Sequence, residues 1–98
     1  MPNVIHAAGI EIELQKRIVR RGSREVTLSA TECALLLSVA RRKGDVVSIE
    51  TLAEEVWGKA MAAGNVHTYV SFLRHKVDDP SRKSILRTVR GLGYALAQ

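Results

Sequence analysis

Ninety-eight residues, 46% hydrophobic and 26% charged, are enough for one domain with its own core. No apolar run approaches the roughly 20 residues a membrane span requires, and no charged-then-apolar leader opens the sequence. One cysteine forms no internal disulfide, which points to a reducing cytoplasm. The net charge of +5 is only a weak pointer to nucleic acid until its distribution is known.

The first 28 residues read as strands. Ile10, Ile12 and Leu14 alternate with Glu11, Glu13 and Gln15, the period of a half-buried strand. Lys16-Arg17 and Arg21-Gly22-Ser23-Arg24 punctuate further short strands at Ile18-Val19 and Val26-Leu28. Gly22 suits a hairpin turn. Four short antiparallel strands over about 4–28 are predicted, beginning near Val4-Ile5.

Ser29 and Glu32 have the spacing of a capping box, which predicts a first helix over about 30–43. Arg41, Arg42 and Lys43 are expected in its last turn, with Gly44 as the stop. Val46-Val47 is a brief extended link, and Ser48 caps a second helix over about 49–57, ending at Trp57-Gly58. A loop is expected over 58–64. Asn65 is expected to cap a third helix over about 65–77, whose Val66, Val70, Leu73 and Val77 form one buried stripe. A basic linker then leads to a β-hairpin over about 85–96. No internal repeat or domain boundary interrupts 1–98, so the fold class is α+β.

The chemistry concentrates at the C-terminal end. From Arg82 to Gln98 there are four basic residues and no acid, while Glu50, Glu54, Glu55, Asp78 and Asp79 lie elsewhere. At about 100° per residue the third helix turns Thr68, Ser71, Phe72 and His75 away from its buried stripe. A solvated polar face does not need an aromatic, so Phe72 marks a contact surface, for a thymine methyl or for another protein. Thr68 and Tyr69 carry hydroxyls for bases or phosphates, and Arg74 and Lys76 flank the face where phosphates would lie. Gly91 and Gly93 permit a tight turn with Arg90 at its tip, suited to a narrow minor groove. The Trp57 indole N–H needs an acceptor, for which a phosphate oxygen would serve.

Enzyme chemistry finds no constellation. Cys33, beside Leu36 and Leu37, reads as a buried structural thiol. His67 and His75 are roughly 12 Å apart along one helix, too far to share a metal. Asp78-Asp79 is a helix-end charge pair, and Gly91-x-Gly93 follows no strand–helix crossover. No catalytic residue, metal site or cofactor is expected.

Together these residues resemble the OmpR/PhoB-type DNA-binding domain of bacterial two-component response regulators. The resemblance runs through Leu28-Ser29-Ala30-Thr31-Glu32 with Leu35-Leu36, then Val47-Ser48, Val56-Trp57-Gly58 and Asn65-Val66. It continues through Leu73-Arg74-His75-Lys76-Val77, and its most specific string is Arg87-Thr88-Val89-Arg90-Gly91-Leu92-Gly93-Tyr94. It implies a winged helix-turn-helix: an N-terminal four-stranded antiparallel sheet, three helices and a C-terminal hairpin wing. By that resemblance the third helix reads the major groove of double-stranded DNA, and on the helical spacing above Thr68, Tyr69, Phe72 and His75 are the residues expected there. The resemblance matches Trp57 and Thr88 to positions that hold the DNA backbone, where the flanking Arg74 and Lys76 are also expected, and it implies that Arg90 enters the minor groove.

The resemblance also implies a polymerase-contact loop, here Lys59, Ala60, Met61, Ala62, Ala63 and Gly64. Direct-repeat operators, a head-to-tail dimer on DNA and a cytoplasmic, nucleoid-associated setting follow from it too. It implies an upstream receiver domain. Nothing in this sequence resembles one, so the chain reads as a domain cut from a longer regulator, with a stand-alone single-domain regulator as the alternative. Where many members carry arginines in the third helix, this chain has Ser71 and Phe72. The commonest base-reading contact, arginine to guanine, is therefore absent from that face. The alternative reading is a winged-helix protein-interaction module that uses Phe72 as a docking point.

Overall fold

A computed structural model describes residues 4–59, 63–79 and 83–97. Four strands open the chain: β1 (Val4–Ala7), β2 (Ile10–Glu13), β3 (Ile18–Arg21) and β4 (Arg24–Thr27). They form one antiparallel sheet in sequence order. The register lines up Ile5, Ile12, Val19 and Val26 across all four strands. That row is the core face, where Ile12 and Val19 are fully buried. One residue out of phase, His6, Glu11, Arg20 and Glu25 form the opposite row. Arg20 there donates to Glu25 (2.9 Å), Glu11 (3.1 Å) and Glu13 (3.3 Å). Two-residue periodicity separates the two rows completely.

Helix α1 (Ala30–Ala40) begins at the expected capping box. The Ser29 hydroxyl accepts the Glu32 N–H, and Glu32 accepts the Ser29 N–H at 2.8 Å. The helix ends three residues before the expected Lys43. Arg42 N–H and Lys43 N–H bond to Val39 and Ala40 carbonyls, tightening the chain into a turn, and Lys43 (φ 49°) and Gly44 (φ 101°) leave it left-handed. The basic side chains therefore lie beyond the last turn. Arg42 bonds the Ser38 carbonyl at 2.7 Å and pairs with Glu55.

The link after α1 is a strand in its own right. β5 (Val47–Ser48) pairs antiparallel with β7 (Gly93–Leu96), which also pairs with β6 (Leu86–Val89). The wing hairpin is thus two strands of a three-stranded sheet ordered β5-β7-β6. Ser48 also caps α2 (Ile49–Trp57), accepting the Thr51 N–H at 3.1 Å, and Gly58 closes that helix at φ 80°. At Gly93 a Cβ would sit 1.9 Å from the Val47 carbonyl oxygen, so only glycine fits this crossing.

Helix α3 runs Ala63–Val77 and begins two residues before the expected Asn65. Alanine favours a helix and one glycine costs roughly 1 kcal/mol, a small penalty beside burial of the stripe that follows. Asn65 sits exposed inside the first turn and is no cap. The stripe Val66, Val70, Leu73 and Val77 is buried as expected and packs with Leu35, Leu36, Val39 and Leu52 of the other helices. No helix among the described residues is long and apolar enough to cross a membrane.

Candidate nucleic-acid interface

The outward face of α3 presents Thr68, Ser71, Phe72 and His75 to solvent, as the helical spacing predicts. Phe72 is 47% exposed. It is not isolated, because the Tyr69 ring meets it edge-on at 5.2 Å, and Trp57 meets Tyr69 edge-on at 5.4 Å. Each ring lies within the range where edge-to-face pairs attract. The ladder runs from the end of α2 onto the face of α3, and its inner members Tyr69 and Trp57 pack on the core. It holds Phe72 outward on a fixed base. The Trp57 indole N–H finds no hydrogen-bond acceptor among the described residues.

The wing lies beside that face. Arg90 is exposed at its tip, where Gly91 (φ 79°) makes the turn and the Leu92 N–H bonds the Val89 carbonyl at 3.0 Å. Among the described residues Arg90 makes no hydrogen bond or ion pair. Leu92 is 62% exposed beside it. A cleft of about 590 Å³ separates the wing from the N-terminal ends of α2 and α3, lined by Ile49, His67, Thr88, Arg90, Leu92 and Tyr94 among others.

Four contacts tie wing to helix, and none is legible in local sequence. Arg74 Nη2 donates to the Leu86 carbonyl (2.6 Å) and to Thr88 Oγ1 (2.7 Å). Its guanidinium lies over the buried Tyr94 ring, 5.6 Å from the centroid, within cation–π range. The Tyr94 hydroxyl is in turn 2.7 Å from His67 Nδ1. His67 was not singled out by sequence, because its partner lies 27 residues away.

Two expected backbone-contact residues are occupied inside the fold. Arg74 braces the wing, as described. Lys76 Nζ lies 2.7 Å from Glu32 Oε1, pairing its charge with a carboxylate on α1. Glu32 is only 4% exposed. Burial pushes its carboxyl up, but the bond from Lys76 and the Ser29 N–H outweigh this and hold it below the ordinary carboxylate value. Thr88 remains exposed, with its hydroxyl oriented by Arg74. Of the expected polymerase-contact loop, Lys59 is exposed, Ala63 and Gly64 belong to the first turn of α3, and Ala60, Met61 and Ala62 lie outside the described residues. Cys33 is buried, and burial pushes its thiol up, away from nucleophilic use.

A stabilised helix with an exposed outer face, flanked by an arginine-tipped hairpin, defines a winged-helix domain of α+β class. Residues 23–96 match the family model described as "Transcriptional regulatory protein, C terminal". The chain belongs to this family, the winged-helix DNA-binding effector domains of OmpR/PhoB type. It is 35% identical over 95 residues to the transcriptional activator protein IrlR of Burkholderia pseudomallei, covering 95% of this chain and 42% of IrlR. The chain thus spans about two fifths of the curated relatives it matches. Among solved structures, the DNA-binding domain of Escherichia coli CadC superposes with a TM-score of 0.85 at 26% identity, covering 99% of this chain and 92% of that one. The Klebsiella pneumoniae RstA DNA-binding domain, solved in complex with the RstA box, gives 0.82 at 26% identity over 96% of each chain.

Proposed function

We propose that this domain reads a specific duplex DNA sequence as the output domain of a two-component response regulator. In this reading α3 enters the major groove with Thr68, Tyr69, Phe72 and His75 toward the bases. Trp57, through its indole N–H, and Thr88 bond backbone phosphates, while Arg90 enters the adjacent minor groove. Arg74 acts by holding the wing at its angle to α3. The supporting observation is the exposed Arg90, without a hydrogen bond or ion pair among the described residues, on a wing braced through Arg74 and Thr88 beside an exposed helix face. The finer features belong to the same proposal: a direct-repeat operator, a head-to-tail dimer on DNA, a polymerase contact through the segment between α2 and α3, and a receiver domain upstream.

Selection of bound duplexes from a random pool by the 98-residue chain tests this reading. Enrichment of a direct repeat with half-sites about one helical turn apart supports it. Retention without enrichment would limit the domain to phosphate binding. No retention would sink the proposal and favour protein docking through Phe72.

A further inference from the structure

The two arginines framing the β3–β4 turn take no part in the interface described above. Arg21 and Arg24 are direct cross-strand partners, and like charges so placed destabilise an isolated hairpin. Both reach one shared acceptor, the carbonyl end of α3. Arg24 Nη2 donates to the Lys76 carbonyl (2.7 Å) and Arg24 Nη1 to the Asp78 carbonyl (3.1 Å). Arg21 Nη1 donates to the Val77 carbonyl (3.1 Å). The last carbonyls of a helix lack intrahelical partners and carry the negative pole of its dipole. The Lys76 carbonyl could not be satisfied by a continued helix in any case, because the residue four places on is Pro80, which has no N–H.

We propose that Arg21 and Arg24 are positioning residues for DNA recognition, the β3–β4 hairpin acting as a guanidinium clamp on the C-terminal end of α3. The inference rests on the DNA-binding reading and adds residues that touch no DNA. The recognition helix is then fixed from three sides: by Arg74 to the wing, by Lys76 to Glu32 on α1, and by the hairpin to its last turn. His75 lies in that last turn and Phe72 one turn earlier. Releasing three carbonyls there frays the segment that carries both, and the loss falls on base reading rather than on phosphate attraction.

The test uses Arg24→Gln, with Arg21→Gln/Arg24→Gln as the stronger variant. Both change solvent-reachable side chains and leave the core intact. Amide hydrogen exchange is measured in the free protein. Affinity is then measured over a salt series for a short duplex carrying the enriched sequence and for a random-sequence duplex. Expected are faster exchange at Val77 and Asp78 and a Kd for the enriched duplex raised roughly five- to tenfold. The Kd for random duplex and the salt slope should stay as in the unaltered chain. A slope shallower by about one unit would mean that Arg24 binds a phosphate directly, and the clamp would be rejected. Equal losses on both duplexes, or faster exchange with no change in Kd, would likewise reject a positioning role. Faster exchange in a chain that enriches no duplex would keep the clamp and place the failure on the DNA reading.

Discussion

Replacing Gly93 by alanine isolates the β5–β7 pairing, one of the contacts that hold the wing to the body. The new Cβ would stand 1.9 Å from the Val47 carbonyl oxygen, 2.9 Å from its carbon and 3.0 Å from the Ser48 Cα, all of them backbone. Real Cβ contacts essentially never fall under 3.0 Å, so β5 and β7 must part by about 1.1 Å. That stretches an inter-strand hydrogen bond of about 2.9 Å to about 4 Å, where it is lost. The pairing spans only Val47↔Tyr94 and Ser48↔Gly93, so nothing in the ladder remains to compensate. Two bonds at about 1 kcal/mol each, with disturbance of the Ser48 cap at about 1 kcal/mol, give a loss of roughly 3 kcal/mol. For a domain of this size that lowers Tm by more than about 12 °C.

Gly91→Ala is the matched control two residues away. Its Cβ meets nothing within 4 Å, and its φ of 79° carries only the left-handed penalty of about 1–2 kcal/mol. Chemical and thermal unfolding of both variants decide the point. If Gly93→Ala unfolds within about 1 kcal/mol of the unaltered chain, or costs no more than Gly91→Ala, steric contact with β5 is not what requires glycine there.

Arg90→Ala should weaken duplex binding by about 1–3 kcal/mol and flatten the salt slope by roughly 0.9; unchanged binding in a filter or anisotropy titration would remove the wing from the interface. Phe72→Ala should relax base preference at one position of each half-site, read by repeating the selection, whereas unaltered preference with weaker self-association would reassign the ring to a protein contact. Acid should erode stability through Glu55, whose carboxyl the Arg42 guanidinium holds down to about 2 against an ordinary 4.5. A depressed carboxyl contributes above its unfolded value and loses that contribution as pH falls through the folded one, so the window runs from about pH 5 to about pH 2. The pair is partly exposed, which limits the effect to under about 1 kcal/mol. Urea midpoints across that window should fall less steeply for Glu55→Gln, and an identical slope would show that the pair does not contribute.

Local signals carried most of the element plan. The Ser29 capping box, the alternation at Ile10–Glu13 and the α3 stripe are each fixed by neighbours within a few residues, and all appear in the structure. Boundaries set by backbone geometry were less legible. The left-handed residues Lys43 and Gly44 end α1 after Ala40 rather than Lys43, and α3 begins before Asn65 because residues with little capping preference can continue a helix.

The outward face of α3 was readable because helical period alone decides which side chains turn from the stripe, and the wing tip because Gly91 and Arg90 are adjacent in sequence. The partners of the charged side chains were not. Arg74, Lys76 and Arg24 are all cations near one helix end, yet one braces the wing, one neutralises Glu32 and one caps carbonyls. Their partners lie 12, 44 and 52 residues away in the chain. Sequence determined which residues are charged and which face of each element is apolar, since both follow from local chemistry and period. Only the packing of sheet, helices and wing decided which charges are paired inside the fold and which, like Arg90 among the described residues, stay exposed to solvent, because a long flexible cation binds whatever acceptor the tertiary structure brings within reach.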